Sequence, residues 1–421
     1  MHLIKSLLST ILLLLIPFTS YSQNTQIDSG NTSWILISTT LVLFMTIPGL
    51  SLFYSGLVKK KNIIPILTQC FTITSLVSLL WLIIGYSLAF GDGGYFNSFI
   101  GGFDNFMLSN IQENTINGDI PESLFALFQM TFAIITPALI IGAFVDRFKF
   151  SSIICFTSIW VLFVYSPICH WVWGGGWLSK MGLLDFAGGT VVHITAGVSA
   201  LTIAIYMGNR KDFKLKPTSD DNNMIITSIG AGMLWVGWFG FNGGSALAAN
   251  GNASMAMLAT HISASAGSIS WMIMEKINNK KISLVGILTG MVAGLGTITP
   301  ASGFVGPSGA LIIGLLAGVI CYLILSLIKE KLNIDDTLDV FSIHGVGGIL
   351  GTLMVSIFAS DKLGVFSGQG YDNGMSMGSQ FIVQFIGVVA TVSYTIILTF
   401  IILKLIDRTI GLKIKEQGLR Q

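Results

Sequence analysis

The chain is organised as long apolar stretches separated by short polar segments. Eleven such stretches follow one another after residue 30. A helix needs about 20 apolar residues to cross a bilayer, and its backbone groups must pair within the helix because lipid offers them no partner. The pattern therefore predicts an all-α polytopic membrane protein with eleven transmembrane helices, near residues 33–57, 63–90, 121–145, 151–167, 188–207, 223–243, 254–275, 283–299, 305–328, 338–358 and 378–406.

The first residues carry a different signal. Lys5 precedes an apolar run at 7–17 that is shorter than a membrane span, and small residues follow at Ser20 and Ser22. We interpret residues 1–22 as a secretory signal peptide, and the alternative is an uncleaved first span. Cleavage would leave the mature N-terminus outside, followed by a transmembrane domain at 23–406 and a short cytoplasmic tail at 407–421.

The positions of lysine and arginine predict an orientation. With the N-terminus outside and the C-terminus inside, nineteen of the 22 lysines and arginines fall on the cytoplasmic side, eighteen between or after the predicted helices and Lys404 at the inner end of the last one. Lys180 and Lys362 fall outside, and Lys5 belongs to the signal peptide. This asymmetry follows the positive-inside rule and supports the N-out/C-in arrangement.

Composition narrows the class of function. The chain is 52% hydrophobic and only 10% charged, whereas soluble domains are about 25% charged. Its net charge of +2 argues against a nucleic-acid partner. None of the four cysteines shows metal-ligand spacing, so we expect no metal and no cofactor.

Two histidines stand at equivalent places in the chain. His193 is near the start of the fifth predicted helix and His344 near the start of the tenth, each followed by small residues. Because five is an odd number, two five-helix halves run in opposite directions. Such an inverted repeat, followed here by a final long helix, would bring both histidines together near the bilayer midplane.

Ionisable side chains inside spans are functional candidates by default. Burial favours the neutral imidazole, and two neutral rings in contact can share a proton and hydrogen-bond a small solute. The alternative, an ordinary hydrogen bond between helices, is the interpretation we keep for His261.

Aromatic residues form a second cluster. Phe128 and Phe132 are one turn apart in the third predicted helix, and Trp173 lies in a glycine-rich outer segment. Desolvated aromatic faces attract cations, although aromatic residues also line every membrane interface. Asp185, eight residues before His193, either caps the fifth helix or keeps the outer mouth electronegative.

Several segments closely resemble the ammonium transporter (Amt/Mep/Rh) family, and bacterial Amt proteins in particular. The most specific are DFAGGTVVH at 185–193 and WFGFN at 238–242. The other matching segments lie in the same order along the chain, at 43–54, 85–91, 172–176 and 339–346.

The resemblance implies a transporter for ammonium and methylammonium, not an enzyme, in the bacterial inner membrane. It also implies a homotrimer with one pore in each subunit. By position it assigns the substrate-binding residues Phe128, Phe132, Trp173 and Ser245, the gate Phe132 and Phe241, the pore and proton relay His193 and His344, and the structural acid Asp185.

Other functions remain open at this point. A passive ammonia or gas channel of the same fold is the closest alternative, and an ammonium sensor is the next. A membrane enzyme using the histidines with a metal would need further ligands in the helices, and we expect none that completes a metal site beside this pair. Regulation by a cytoplasmic PII-type protein is also left open, because the tail lacks the acidic stretch found in many family members.

Overall fold

Eleven main helices make up the described part of the chain. The computed structural model describes residues 26–145, 147–211, 213, 221–372 and 374–414. Within these ranges each predicted transmembrane segment overlaps one helix. The predicted signal peptide, 1–22, lies outside the described residues, as do residues 415–421 of the predicted tail. The helices are α1 Ser29–Gly56, α2 Lys60–Phe90, α3 Glu122–Ala143, α4 Phe150–Lys180 (interrupted at 173–176), α5 Gly189–Met207, α6 Asn223–Gly243, α7 Gly251–Asn279, α8 Leu284–Ile298, α9 Pro307–Lys331, α10 Phe341–Phe358 and α11 Met377–Thr409.

Among the described residues, nine helices are long and apolar enough to cross a membrane. The other two are α8, which has only 15 residues, and α7, which is longer but more polar. Both pack against each other and against α9. The α7–α8 contact is close, because a Cβ at Gly294 would lie 2.3 Å from the backbone oxygen of Ser263. Small residues thus bring these helix backbones together, as is common in membranes.

Several helices begin at a capping side chain. Asp28, Asn250, Ser283 and Ser376 each precede a helix and accept a hydrogen bond from a backbone N–H in its first turn. Those N–H groups have no partner within the helix, so the caps define where α1, α7, α8 and α11 start.

The segment between α2 and α3 contains the described strands. Strands β1 (Ile116–Asn117) and β2 (Ile120–Pro121) form an antiparallel hairpin in which Ile116 pairs with Pro121 and Asn117 with Ile120. Short 3₁₀ turns lie at Gly94–Phe96 and Phe106–Leu108, and another follows α10 at Gly364–Phe366. The hairpin and an isolated antiparallel bridge between Phe148 and Lys413 depart from the all-α expectation. Such short pairings are too small to show an alternating pattern in the sequence.

The central position belongs to α3. In its most apolar 18-residue stretch, 89% of the residues are buried, against 33% for α9. Helix α3 contacts α1, α2 and α5. Side chains on several faces of α3 therefore point into the interior, which is where the candidate site lies.

Candidate functional site

A wide cavity opens where α3 begins and the interrupted part of α4 lies. Its volume is about 510 Å³, and we call it the vestibule. Aromatic and polar side chains both contribute to its wall. It is lined by Tyr86, Phe90, Asn117, Glu122, Phe125, Gln129, Phe132, Val172, Trp173, Gly174, Phe186, Ser245 and Leu247.

A column of aromatic rings leads from the vestibule into the protein. The ring centroids of Trp173 and Phe132 are 5.8 Å apart, and those of Phe132 and Phe241 are 4.2 Å apart. The ring of His193 follows at 6.2 Å from Phe241. Phe132 and Phe241 are both buried, and their rings, tilted by 30° to each other, lie between the vestibule and the space beyond.

His193 and His344 contact each other directly beyond Phe241. Their Nδ1 atoms are 3.2 Å apart and both side chains are buried. A hydrogen bond between two Nδ1 atoms uses one proton, so the two neutral rings must have opposite tautomers. One free Nε2 then accepts a hydrogen bond and the other donates one.

The space around the two histidines is small and mostly apolar. A cavity of about 10 Å³ lies there, lined by both histidines and by side chains such as Leu139, Leu234 and Val292. This volume is about what a single water molecule requires. Among the described residues, the Nε2 atom of His193 has no hydrogen-bond partner. This nitrogen faces the small cavity and is free to form a hydrogen bond with a small solute there.

Wide helical turns position these side chains. His193 lies in a π-helical turn at Gly189–Ile194, His344 in one at Phe341–Gly345, and Phe241 in a third at Phe239–Gly243. Such turns occur often at functional sites because they redirect a side chain within a helix.

Glycines allow α5 and α10 to touch through their backbones. A Cβ at Gly197 would lie 2.2 Å from the backbone nitrogen of Gly345, and one at Gly348 would lie 3.0 Å from the Cβ of His193. The two helices cross with opposite chain directions, since Gly189 faces Gly348 whereas Gly197 faces Gly345. This close crossing brings the two histidines together.

Asp185 caps α5 from within the protein. Its carboxylate accepts from the backbone N–H groups of Gly188, Gly189 and Thr190 at 2.9, 2.6 and 2.7 Å. It also accepts from the Thr190 hydroxyl and, at 3.4 Å, from the N–H of Val191. Asp185 is buried and is not part of the vestibule wall, so of the two roles left open from the sequence the geometry fits the cap.

The other residues expected to bind substrate lie in different environments. Trp173 and Ser245 line the vestibule, and the Trp173 indole N–H donates to the Asp185 backbone oxygen at 2.9 Å. The Ser245 hydroxyl donates to the Phe241 backbone oxygen at 2.8 Å, which leaves its own oxygen able to accept. Phe128 is fully buried behind Phe132, with ring centroids 5.0 Å apart, and does not contribute to the wall.

His261 does not make the interhelical hydrogen bond that we expected. Its side chain is exposed on α7, and its ring packs 5.2 Å from that of Trp235 and 6.1 Å from that of Phe239. Within the described part of the chain its ring has aromatic contacts only. The position lies on the outward face of the helix, which the sequence did not reveal because α7 has polar residues on more than one face.

Comparison with known proteins identifies the family. The profile of the Ammonium Transporter Family matches residues 33–420. The chain belongs to the ammonium transporter family. An ammonium transporter of Aquifex aeolicus (strain VF5) is 46% identical over 400 residues, which cover 94% of this chain and 92% of that protein.

Solved structures agree with this assignment. The crystal structure of Saccharomyces cerevisiae Mep2 matches with a TM-score of 0.86 and 34% identity, over 95% of this chain and 91% of that chain. A sensor Amt protein matches with a TM-score of 0.82 and 32% identity, over 91% of this chain and 95% of that chain. The protein is thus a multi-pass membrane protein with the fold of this transporter family.

Two acidic residues near the site were not singled out from the sequence. Glu122 is the acidic side chain in the vestibule wall, and Asp336 precedes His344 by eight residues, as Asp185 precedes His193. The equal spacing of the two Asp–His pairs was a detectable signal for Asp336. The signal for Glu122 was weaker: its spacing places it on the same helical face as Phe125, Gln129 and Phe132.

Metal binding has no evident place in the described residues. Within them, no group of three or more His, Cys, Asp or Glu side chains is arranged to hold a metal ion, and all four cysteines are free.

Proposed function

We propose that the protein imports ammonium by separating it into ammonia and a proton. Of the residues that the family resemblance assigns to recruitment, Phe132, Trp173 and Ser245 contact ammonium in the vestibule, and Phe128 supports the Phe132 ring from behind. Ammonia then passes the gate formed by Phe132 and Phe241 and reaches His193 and His344. The observation that carries this proposal is the continuous column of rings from Trp173 to the two histidines.

Deprotonation explains how such a pore selects its substrate. Ammonium and potassium ions are similar in size, so attraction by aromatic faces alone separates them poorly. Only ammonium can give up a proton. The closed ring pair excludes any bare cation, because a charge moved out of water into an apolar constriction loses its hydration. Neutral ammonia loses far less, and the unpaired Nε2 of His193 offers it a hydrogen bond.

The histidines give the proton a route of its own. In our proposal each imidazole takes up a proton on one nitrogen and releases another from its second nitrogen. The 3.2 Å contact between the Nδ1 atoms supports transfer from ring to ring. Transport is then electrogenic, since one positive charge crosses with each ammonia.

The cellular setting follows the same reasoning. We propose that all eleven helices cross the bacterial inner membrane, with the N-terminus outside after removal of residues 1–22 and the tail at 407–421 inside. The vestibule is then the outer mouth. We also propose a homotrimer, and a cytoplasmic PII-type protein as a regulator that binds the inner face.

The decisive experiment measures current across proteoliposomes on a solid-supported membrane after a jump in ammonium concentration. A potassium jump of equal size serves as the control. We expect a transient current for ammonium alone. Alkalinisation of the vesicle interior without current would indicate the alternative, a passive ammonia channel. No current and no alkalinisation would favour a sensor. The similarity to the sensor Amt protein is the reason to test this role.

Replacing both histidines tests the relay. The double variant His193→Leu/His344→Leu should lose the ammonium current, because apolar side chains carry no proton. His261→Leu is the matched control, since this third histidine lies exposed on α7 away from the ring column. A current of normal size in the double variant would rule out proton transfer through the pair.

A further inference from the structure

The vestibule contains a second group of side chains suited to a cation. The Glu122 carboxylate, at the start of α3, accepts a hydrogen bond from the Tyr86 hydroxyl at 2.9 Å. The rings of Tyr86, Phe90 and Phe125 lie beside it, with centroids 5.1 to 6.4 Å from one another. All four residues line the vestibule. A carboxylate among aromatic faces is a favourable environment for a small organic or ammonium cation.

The carboxylate of Glu122 is not engaged as a helix cap. No side chain caps the first turn of α3, and the Glu122 carboxylate instead accepts a hydrogen bond from Tyr86 on α2. The Tyr86 hydroxyl takes up only part of the acceptor capacity of an ionised carboxylate. Asp185, in contrast, is surrounded by backbone donors and lies outside the wall. The negative charge available in the vestibule therefore comes from Glu122.

A second polar group lies on the same face of α3, closer to the gate. Gln129 lines the vestibule with only 8% of its surface exposed, and its Oε1 has no hydrogen-bond partner among the described residues. Glu122, Phe125, Gln129 and Phe132 follow at helical spacing, so they form one stripe. With a rise of 1.5 Å per residue, Glu122 lies about 15 Å from Phe132 along the helix axis.

We propose that Glu122, Tyr86, Phe90 and Phe125 form an outer capture site for ammonium and methylammonium. The cation binds there first, passes Gln129, and then reaches Trp173 and Phe132 above the gate. This inference rests on the proposed function, because it adds a step before the recruitment already described. A charged group in a cavity with apolar walls concentrates counter-ions, which favours uptake at low ammonium.

The test compares Glu122→Gln with wild type in two assays. In the first, ammonium-jump currents give KM and the maximal current. We expect KM to rise about three- to tenfold, with much less change in maximal current, because the site acts on capture and not on passage through the gate. The increase should shrink at high ionic strength, since salt screens a charge that faces water.

The second assay measures binding without transport. Radiolabelled methylammonium is titrated onto the detergent-solubilised protein in a scintillation proximity assay, with potassium chloride as competitor. Glu122→Gln should weaken binding by a similar factor, and Glu122→Asp should restore much of it. Glu113→Gln is the matched control, because Glu113 lies on the exposed surface of the same outer segment and does not line the vestibule.

The two proposals fail in different ways. An absent ammonium current in wild type contradicts the transport function, whereas binding that depends on Glu122 still supports the capture site. Unchanged KM and unchanged binding in Glu122→Gln overturn the capture site and leave transport standing. Equal effects of Glu122→Gln and Glu113→Gln also overturn it, since they indicate general surface charge.

Discussion

Two aspartates stand eight residues before the two central histidines, Asp185 before His193 and Asp336 before His344. Both are buried, but their hydrogen bonding differs. The Asp185 carboxylate accepts from four backbone N–H groups and one hydroxyl. Asp336 accepts from the N–H of Phe341 at 2.7 Å, and its Oδ1 has no partner among the described residues.

The difference lies in how many backbone donors reach each carboxylate. Three residues after its aspartate, each half has a residue with positive φ, Gly188 at 111° and Asp339 at 63°, but only after Asp185 do several successive N–H groups point at the carboxylate. The corresponding backbone after Asp336 directs fewer donors at its carboxylate. Few donors stabilise the charged form of this carboxyl. Burial raises the pKa of Asp336 to about 7, and the charge of Asp339 raises it further. The two aspartates have the same spacing from their histidines. Asp185 is a fully hydrogen-bonded helix cap, whereas Asp336 is a buried acid with few donors.

The largest expected loss of stability comes from replacing Asp185, the aspartate with more hydrogen bonds. Asp185→Asn leaves buried N–H donors without an acceptor and should destabilise the protein by about 3–5 kcal/mol. Asp336→Asn should change stability by only about 1 kcal/mol, because it relieves a buried charge as it weakens one hydrogen bond. Thermal unfolding in detergent measures both. Equal losses of stability would show that the two aspartates are equivalent after all.

A smaller effect is expected at the crossing that joins the two halves. Gly197→Ala places a methyl group against the backbone of Gly345, so α5 and α10 must separate. We expect a loss of about 1–3 kcal/mol and most of the ammonium current. Gly232→Ala on α6 is the control, since a Cβ there meets no atom within 4 Å. Normal current in Gly197→Ala would mean that the histidines tolerate a wider crossing.

The smallest effect concerns pH. Because the pKa of Asp336 is raised in the folded protein, the folded state holds this proton more tightly than the unfolded chain does. The stabilisation is complete below the unfolded pKa of about 4 and declines as pH rises through about 7. Between pH 6 and 8 wild type should lose roughly 1 kcal/mol that Asp336→Asn retains. Melting curves at both pH values measure this, and parallel pH dependence in the two proteins would contradict it.

Much of the helical framework was predictable from the sequence, whereas several features of the site were not. The predicted segments overlap helices because length and apolarity are local properties. The interpretation of His193 and His344 as neighbours needed only their places in two opposed halves. Phe128 lies behind Phe132 and His261 faces outward, since the side a residue presents depends on packing around the whole helix. Glu122 was missed because its partner, Tyr86, is 36 positions away in the chain.

The sequence by itself determined that this is a multi-helix membrane protein of the ammonium transporter family. Its apolar runs are long enough for lipid, and the free energy of transferring a helix into lipid adds up residue by residue. Only the tertiary structure decided that His193 and His344, 151 positions apart, share a hydrogen bond. It also decided that Asp185 is fully paired and Asp336 is not. Such contacts depend on how closely backbones approach, and here that distance is set by glycines on crossing helices.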